Sequence, residues 1–103
     1  MSKHDEENEH VEKRIAHLPT IEYFEKTYGK SMEGSDQKAA TVFRNFESHE
    51  KLRRLQNELT WIKNGKVSVT ACTRVLGAKR RAKYRTFEHW AELMLLWLAT
   101  GKR

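Results

Sequence analysis

The stretch Lys79 to Leu98, KRRAKYRTFEHWAELMLLWL, decides how this chain is read. Its first part places Lys79, Arg80, Arg81, Lys83 and Arg85 close together, interrupted only by Ala82 and Tyr84. Its second part is the most apolar of the chain, with Phe87, Trp90 and Ala91 leading into the run Leu93 to Ala99. The cations ask for a polyanion and the apolar run asks for burial. The pattern predicts a final helix that either runs unbroken from Ala78 to Thr100 or starts afresh at Thr86. Apolar side chains occupy nearly every side of it, so it must lie inside a core or beneath a partner. Gly101-Lys102-Arg103 stops it, with cations favourable at the negative helix end.

Working outward, a second helix is predicted from Asp36 to the Asn64-Gly65 stop signal. Val42, Phe43, Phe46, Leu52, Leu55, Leu59 and Ile62 recur at helical spacing, and Glu47–Lys51 and Glu50–Arg54 are acid-before-base pairs one turn apart. Such a helix would be about 40 Å long, a scaffold for the others. Between the two, Val67 to Thr70 alternates like a strand, but no second strand is available to pair with it. A short helix capped by Ser68 or Thr70 and ended by Gly77 is therefore expected. Upstream, Thr20 is the expected N-cap of a helix that begins after Pro19 and carries Ile21, Phe24 and Tyr28 on one face. Gly29 suits its left-handed end, and Gly34-Ser35-Asp36 reads as turn and cap. Residues 1–14 hold one strong hydrophobe, Val11, too little to offset chain entropy. The expectation is an all-α bundle of three to four helices with one long central helix. Residues 1–16 are expected to form an acidic disordered tail, and 17–103 a single basic helical domain.

Charge divides the chain in two. Residues 1–50 hold 7 Lys/Arg and 11 Asp/Glu, whereas residues 51–103 hold 13 and 3, within a net charge of +6. The imbalance points the second half at an anionic partner, nucleic acid before an acidic membrane or protein. Lys51, Arg53, Arg54, Lys63 and Lys66 extend the 79–85 footprint if the second helix lies alongside it. Each cation at a phosphate would release counterions without reading bases. Tyr84 has two readings, a stacking platform for an unpaired base or a residue packed at the helix border.

Val69 to Phe87 resembles, over that stretch alone, a helix-turn-helix of the bacterial transcription-factor type. Ala71, Leu76-Gly77, Arg80-Arg81, Tyr84-Arg85 and Phe87 stand roughly where that motif has its small residue, Leu-Gly turn, arginine-rich second helix and Tyr-Arg pair. The resemblance implies a second helix placed in a DNA groove. Ala78 and Lys83 depart from it, standing where the motif has larger apolar residues.

Other chemistry finds little support. His4, His10 and His17 are six and seven residues apart, not at ligand spacing, so no metal is expected. Cys72 is the only cysteine and excludes an intrachain disulfide. Nothing in the sequence joins Cys72 to His89 as nucleophile and base, Glu88 and Glu92 read as a surface pair, and no glycine-rich phosphate loop is present. A non-enzyme without cofactors is expected. The polar N-terminus lacks the apolar segment of a signal peptide, which suggests a cytoplasmic protein. The leading expectation is a small accessory or architectural protein that binds DNA or RNA, such as a subunit of a ribonucleoprotein complex. The alternative is a protein–protein module or homo-oligomer docking through Phe87, Trp90, Met94 and Trp97. A membrane surface ranks last, because residues 93–99 offer no polar face.

Overall fold

The computed structural model describes residue 15 and residues 17–29 and 35–100. Among them the chain is all-helical. Helix α1 spans Pro19–Phe24 and continues as a π-helical turn, Glu25–Gly29. Then follow α2 (Asp36–Phe46), α3 (His49–Lys63), α4 (Val69–Leu76), α5 (Ala78–Tyr84) and α6 (Phe87–Thr100). Among the described residues six helices replace the expected three to four: the Asp36–Asn64 stretch is broken, and the last segment takes the second of its two expected forms, restarting after Thr86. The expected acidic tail, with His4 and His10, lies outside the described residues apart from Ile15, which packs partly buried against the core.

The long central helix from Asp36 to Asn64 is the main correction. It stops at Phe46 and restarts at His49, with Glu47 and Ser48 extended at ψ 162° each. Ser48 caps the new helix, its hydroxyl accepting from the Lys51 N–H at 3.1 Å. Glu47 turns its carboxylate to the hydroxyls of Tyr23 and Tyr28. A continuous helix here would be about 43 Å long, whereas α6 spans only about 21 Å, so half the apolar stripe would overhang. The elbow lets α2 and α3 both lie against α6. It also leaves Phe46 outside the core at 77% exposure.

Helix α6 is thus the central element. Phe87, Trp90, Ala91, Met94 and Leu98 line its buried face and meet Leu55, Leu59 and Ile62 of α3 in one core cluster with Phe43 of α2. Phe43 also gathers the rings of Tyr23, Phe24 and Tyr28, at centroid distances of 6.4, 5.7 and 5.4 Å. Phe87, Trp90 and Met94, expected as a partner surface under the alternative reading, are core residues, and Trp97 is half-buried. The reason is size: so small a domain has few other large side chains with which to build its interior.

Two ends are set differently from expectation. Helix α1 starts at Pro19 itself, with no side-chain cap from Leu18. Its free N–H groups, on Thr20 and Ile21, donate to the buried Glu58 carboxylate of α3 at 3.1 and 2.8 Å. That carboxylate takes the place of a local cap and favours the positive helix end. Gly29 is not left-handed, since the chain is there still in its π-helical turn. The Asn64-Gly65 stop is as expected, with Gly65 at φ 72°. Ser68 caps α4 through the Ala71 N–H at 3.1 Å.

Candidate nucleic-acid interface

Helix α5 follows α4 across one residue. Gly77, at φ 92° and ψ 151°, ends one helix and starts the next in a conformation essentially reserved for glycine. A helix-turn-helix needs a turn of three to four residues at this point, so the likeness read from the sequence does not extend to the backbone. Seven residues, AKRRAKY, then form the short helix. Alanine, lysine and arginine are strong helix formers, and this suffices locally because α5 is fastened from below.

The fastening is Arg80. Its guanidinium forks onto Glu25, Nη1 to Oε2 and Nη2 to Oε1 at 3.0 Å each. Its Nε lies 3.2 Å from Oδ2 of Asp36, and its guanidinium carbon 5.3 Å from the Trp90 ring centroid. One turn on, the Tyr84 hydroxyl donates to the same Asp36 oxygen at 2.9 Å. Both side chains thus face inward. Burial holds the Glu25 carboxyl above its usual range even against the opposing pull of Arg80. Burial, then the bond to Asp36, pushes the Tyr84 phenol up to about 12.

Because Arg80 is spent on Glu25 and Asp36, it adds nothing to an outward charge. The same holds for Tyr84 as a stacking platform: its hydroxyl is bound, and the Lys83 ammonium lies 5.3 Å from its ring centroid. Lys79, Arg81, Lys83 and Arg85 remain, all exposed and without an ion pair among the described residues. Arg85 leaves the helix at φ 75°, the one non-glycine residue with positive φ among those described. The Thr86 hydroxyl then accepts from the His89 N–H at 3.0 Å and starts α6.

The expected contribution of the second helix is reduced. Lys51 is held over the Tyr23 ring at 4.1 Å and 3.9 Å from Glu47, and Arg54 pairs with Glu50 at 2.8 Å. Arg53, Lys63 and Lys66 are exposed. Yet α3 packs chiefly on α6 and α1, while α5 packs on α6 and α4, so the two basic helices are not laid side by side. Glu25 and Asp36, which orient the basic helix, were missed from the sequence. One signal was available: Leu76, Arg80 and Tyr84 follow at i, i+4 spacing, which sets an arginine within an inward-facing row.

Other candidates are dispersed. Cys72 is buried, and burial, with a lesser effect of Glu88, pushes its thiol up to about 11. His89 sits on the opposite, exposed side of α6, 3.8 Å from Glu92. No group of three metal-ligating side chains occurs among the described residues, and none of their helices is long and apolar enough to cross a membrane. Comparison with protein-family models, with curated proteins and with solved structures finds no match to this chain.

Proposed function

We propose that this protein binds nucleic acid through phosphate contacts from α5, as an accessory or architectural component. One observation carries the reading: Lys79, Arg81 and Lys83 stand exposed on a helix whose fourth cation, Arg80, is locked inward, and Arg85 follows exposed at its end. Ion pairing of Arg80 fixes the direction in which the other three cations of the helix point. Preorganised cations lose less freedom on binding, and each one placed at a phosphate releases counterions.

Fluorescence anisotropy with labelled DNA and RNA across a salt series tests this. The informative variant replaces Lys79, Arg81, Lys83 and Arg85 by Ala and keeps Arg80, so that the fold is preserved. Wild type should lose affinity steeply with salt, at a log–log slope of roughly −3 to −4 for four phosphate contacts. The variant should bind weakly with a nearly flat slope. Absence of wild-type binding at low salt would sink the proposal.

A second reading rests on α6. Leu96 is 53% exposed beside the half-buried Leu93 and Trp97, which leaves an apolar outer strip on the central helix. Such a strip suits a protein partner or a second copy of the chain. Sedimentation of wild type against Leu96→Lys separates these readings, since only a protein–protein contact would respond to that change.

A further inference from the structure

Resting on the reading of α5 as a phosphate-binding helix, we propose that its ligand is duplex DNA, held on the phosphates of both strands without reading the bases. Arg80 and Tyr84 define the buried side of α5 through Glu25 and Asp36. At ~100° per residue, Lys79 and Lys83 fall on one flank of that pair and Arg81 on the other. Ala78 and Ala82 fall opposite it, and all five are exposed. The cations therefore stand on both sides of a low ridge, two on one flank and one on the other.

Cations on two opposite flanks suit a ligand with two lines of phosphate. A helix with its side chains is about 10–12 Å across, and the major groove of B-form DNA is about 12 Å wide, so cations on opposite flanks meet opposite strands. The major groove of A-form RNA is too deep and narrow to admit the same helix. A single strand presents one phosphate line and gains most of its remaining affinity by stacking bases on aromatic rings. The one aromatic residue of α5, Tyr84, is tied to Asp36 with Lys83 near its ring. Duplex DNA also carries a higher charge density than a single strand, which favours it over one for contacts driven by counterion release. Toward the groove floor the ridge offers only the methyl groups of Ala78 and Ala82, which neither donate nor accept hydrogen bonds. Base identity thus goes largely unread.

The test uses anisotropy with the full chain and four labelled probes: a DNA duplex, one of its strands, an RNA duplex of the same sequence, and an unrelated DNA duplex. The two DNA duplexes should bind alike within about threefold, and about tenfold or more tighter than the single strand and the RNA duplex. Ala82→Glu sets an acid on the ridge and should weaken DNA-duplex binding about tenfold, while Ala82→Lys should strengthen it. Both residues are helix formers at an exposed site, and circular dichroism checks that the fold persists. If the single strand or the RNA duplex binds as tightly as DNA duplex, this inference fails while the phosphate-binding role stands. Indifference of duplex binding to both Ala82 variants also overturns it, as does a strong preference between the two DNA duplexes. If no probe binds, the proposed function fails with it.

Discussion

The two breaks, the elbow at Glu47-Ser48 inside the expected long helix and the joint at Arg85-Thr86 where a fresh start was one of two expectations, solve one problem in different ways. Each is pinned by tyrosine on carboxylate: Tyr23 and Tyr28 on Glu47 at the elbow, Tyr84 on Asp36 at the joint. At the elbow the backbone is relaxed, with Ser48 at φ −69° and a hydroxyl cap in place. At the joint Arg85 takes φ 75°, a region costly for a side chain with a β-carbon. The difference follows from what lies on each side. Glu25 and Asp36 fix α5 through Arg80, and the core fixes α6 through Phe87 and Trp90, so Arg85 absorbs the mismatch between them. A break can thus be written locally by a cap, or imposed by two anchored segments that do not align.

The largest predicted effect tests those anchors. Arg80→Ala leaves Glu25 and Asp36 facing each other without their shared cation and should destabilise the fold by about 3–5 kcal/mol. Thermal or urea unfolding measures this, and a loss below about 1 kcal/mol would mean that the joint is not held by this ion pair. The smaller tests address the break residues, and they should differ in sign. Ser48→Ala removes a cap and should cost about 1 kcal/mol. Arg85→Gly relieves the positive φ and should stabilise by about 1 kcal/mol, despite the added freedom of the unfolded chain. It should also lower the salt slope of nucleic-acid binding by about one contact. Equal destabilisation by both variants would erase the contrast between a relaxed and a strained break.

The finest test compares the tyrosines through pH. All three in the chain are shifted upward: Tyr23 first by its bond to Glu47, Tyr28 first by burial and then by Glu47, and Tyr84 first by burial and then by Asp36. The folded state therefore favours the protonated phenols. The stability they contribute is fully present below the ordinary tyrosine value of about 10 and is lost as pH rises above it, for Tyr84 through about 12. Absorbance titration of tyrosinate should accordingly show little ionisation at pH ~10, where free tyrosine is half ionised. In Glu47→Gln the titration of Tyr23 and Tyr28 should move down while that of Tyr84 stays, which assigns each phase to its own break. The Glu47 carboxyl itself is held below the usual range, first by Tyr28 and then by Tyr23. Its contribution is present above the ordinary carboxylate value and lost as pH falls through its lowered one.

Much of the helical content was legible because its signals are local. The Asn64-Gly65 stop, the Ser68 cap and the glycine at 77 all act within a turn of the residues they govern. The Asp36–Asn64 stretch misled for a physical reason. Phe46 has the spacing of a core residue, and only the limited length of α6 decides that the stripe must fold back. The candidate site was legible as composition and not as geometry. Five cations within seven residues say that positive charge is present, but say nothing of which one turns inward.

By itself the sequence determined that this chain is helical, that its positive charge is concentrated in the second half, and where several helices begin and end. Periodicity, capping and composition are properties of neighbouring residues, so they can be read along the chain. Only the tertiary structure decided that α6 is the central helix, that Glu58 caps α1 from 38 residues away, and that Arg80 and Tyr84 belong to the interior while Lys79, Arg81, Lys83 and Arg85 face outward. Those outcomes depend on which buried charges and helix ends find partners across the fold, and a charge taken out of water must find one wherever in the chain it lies.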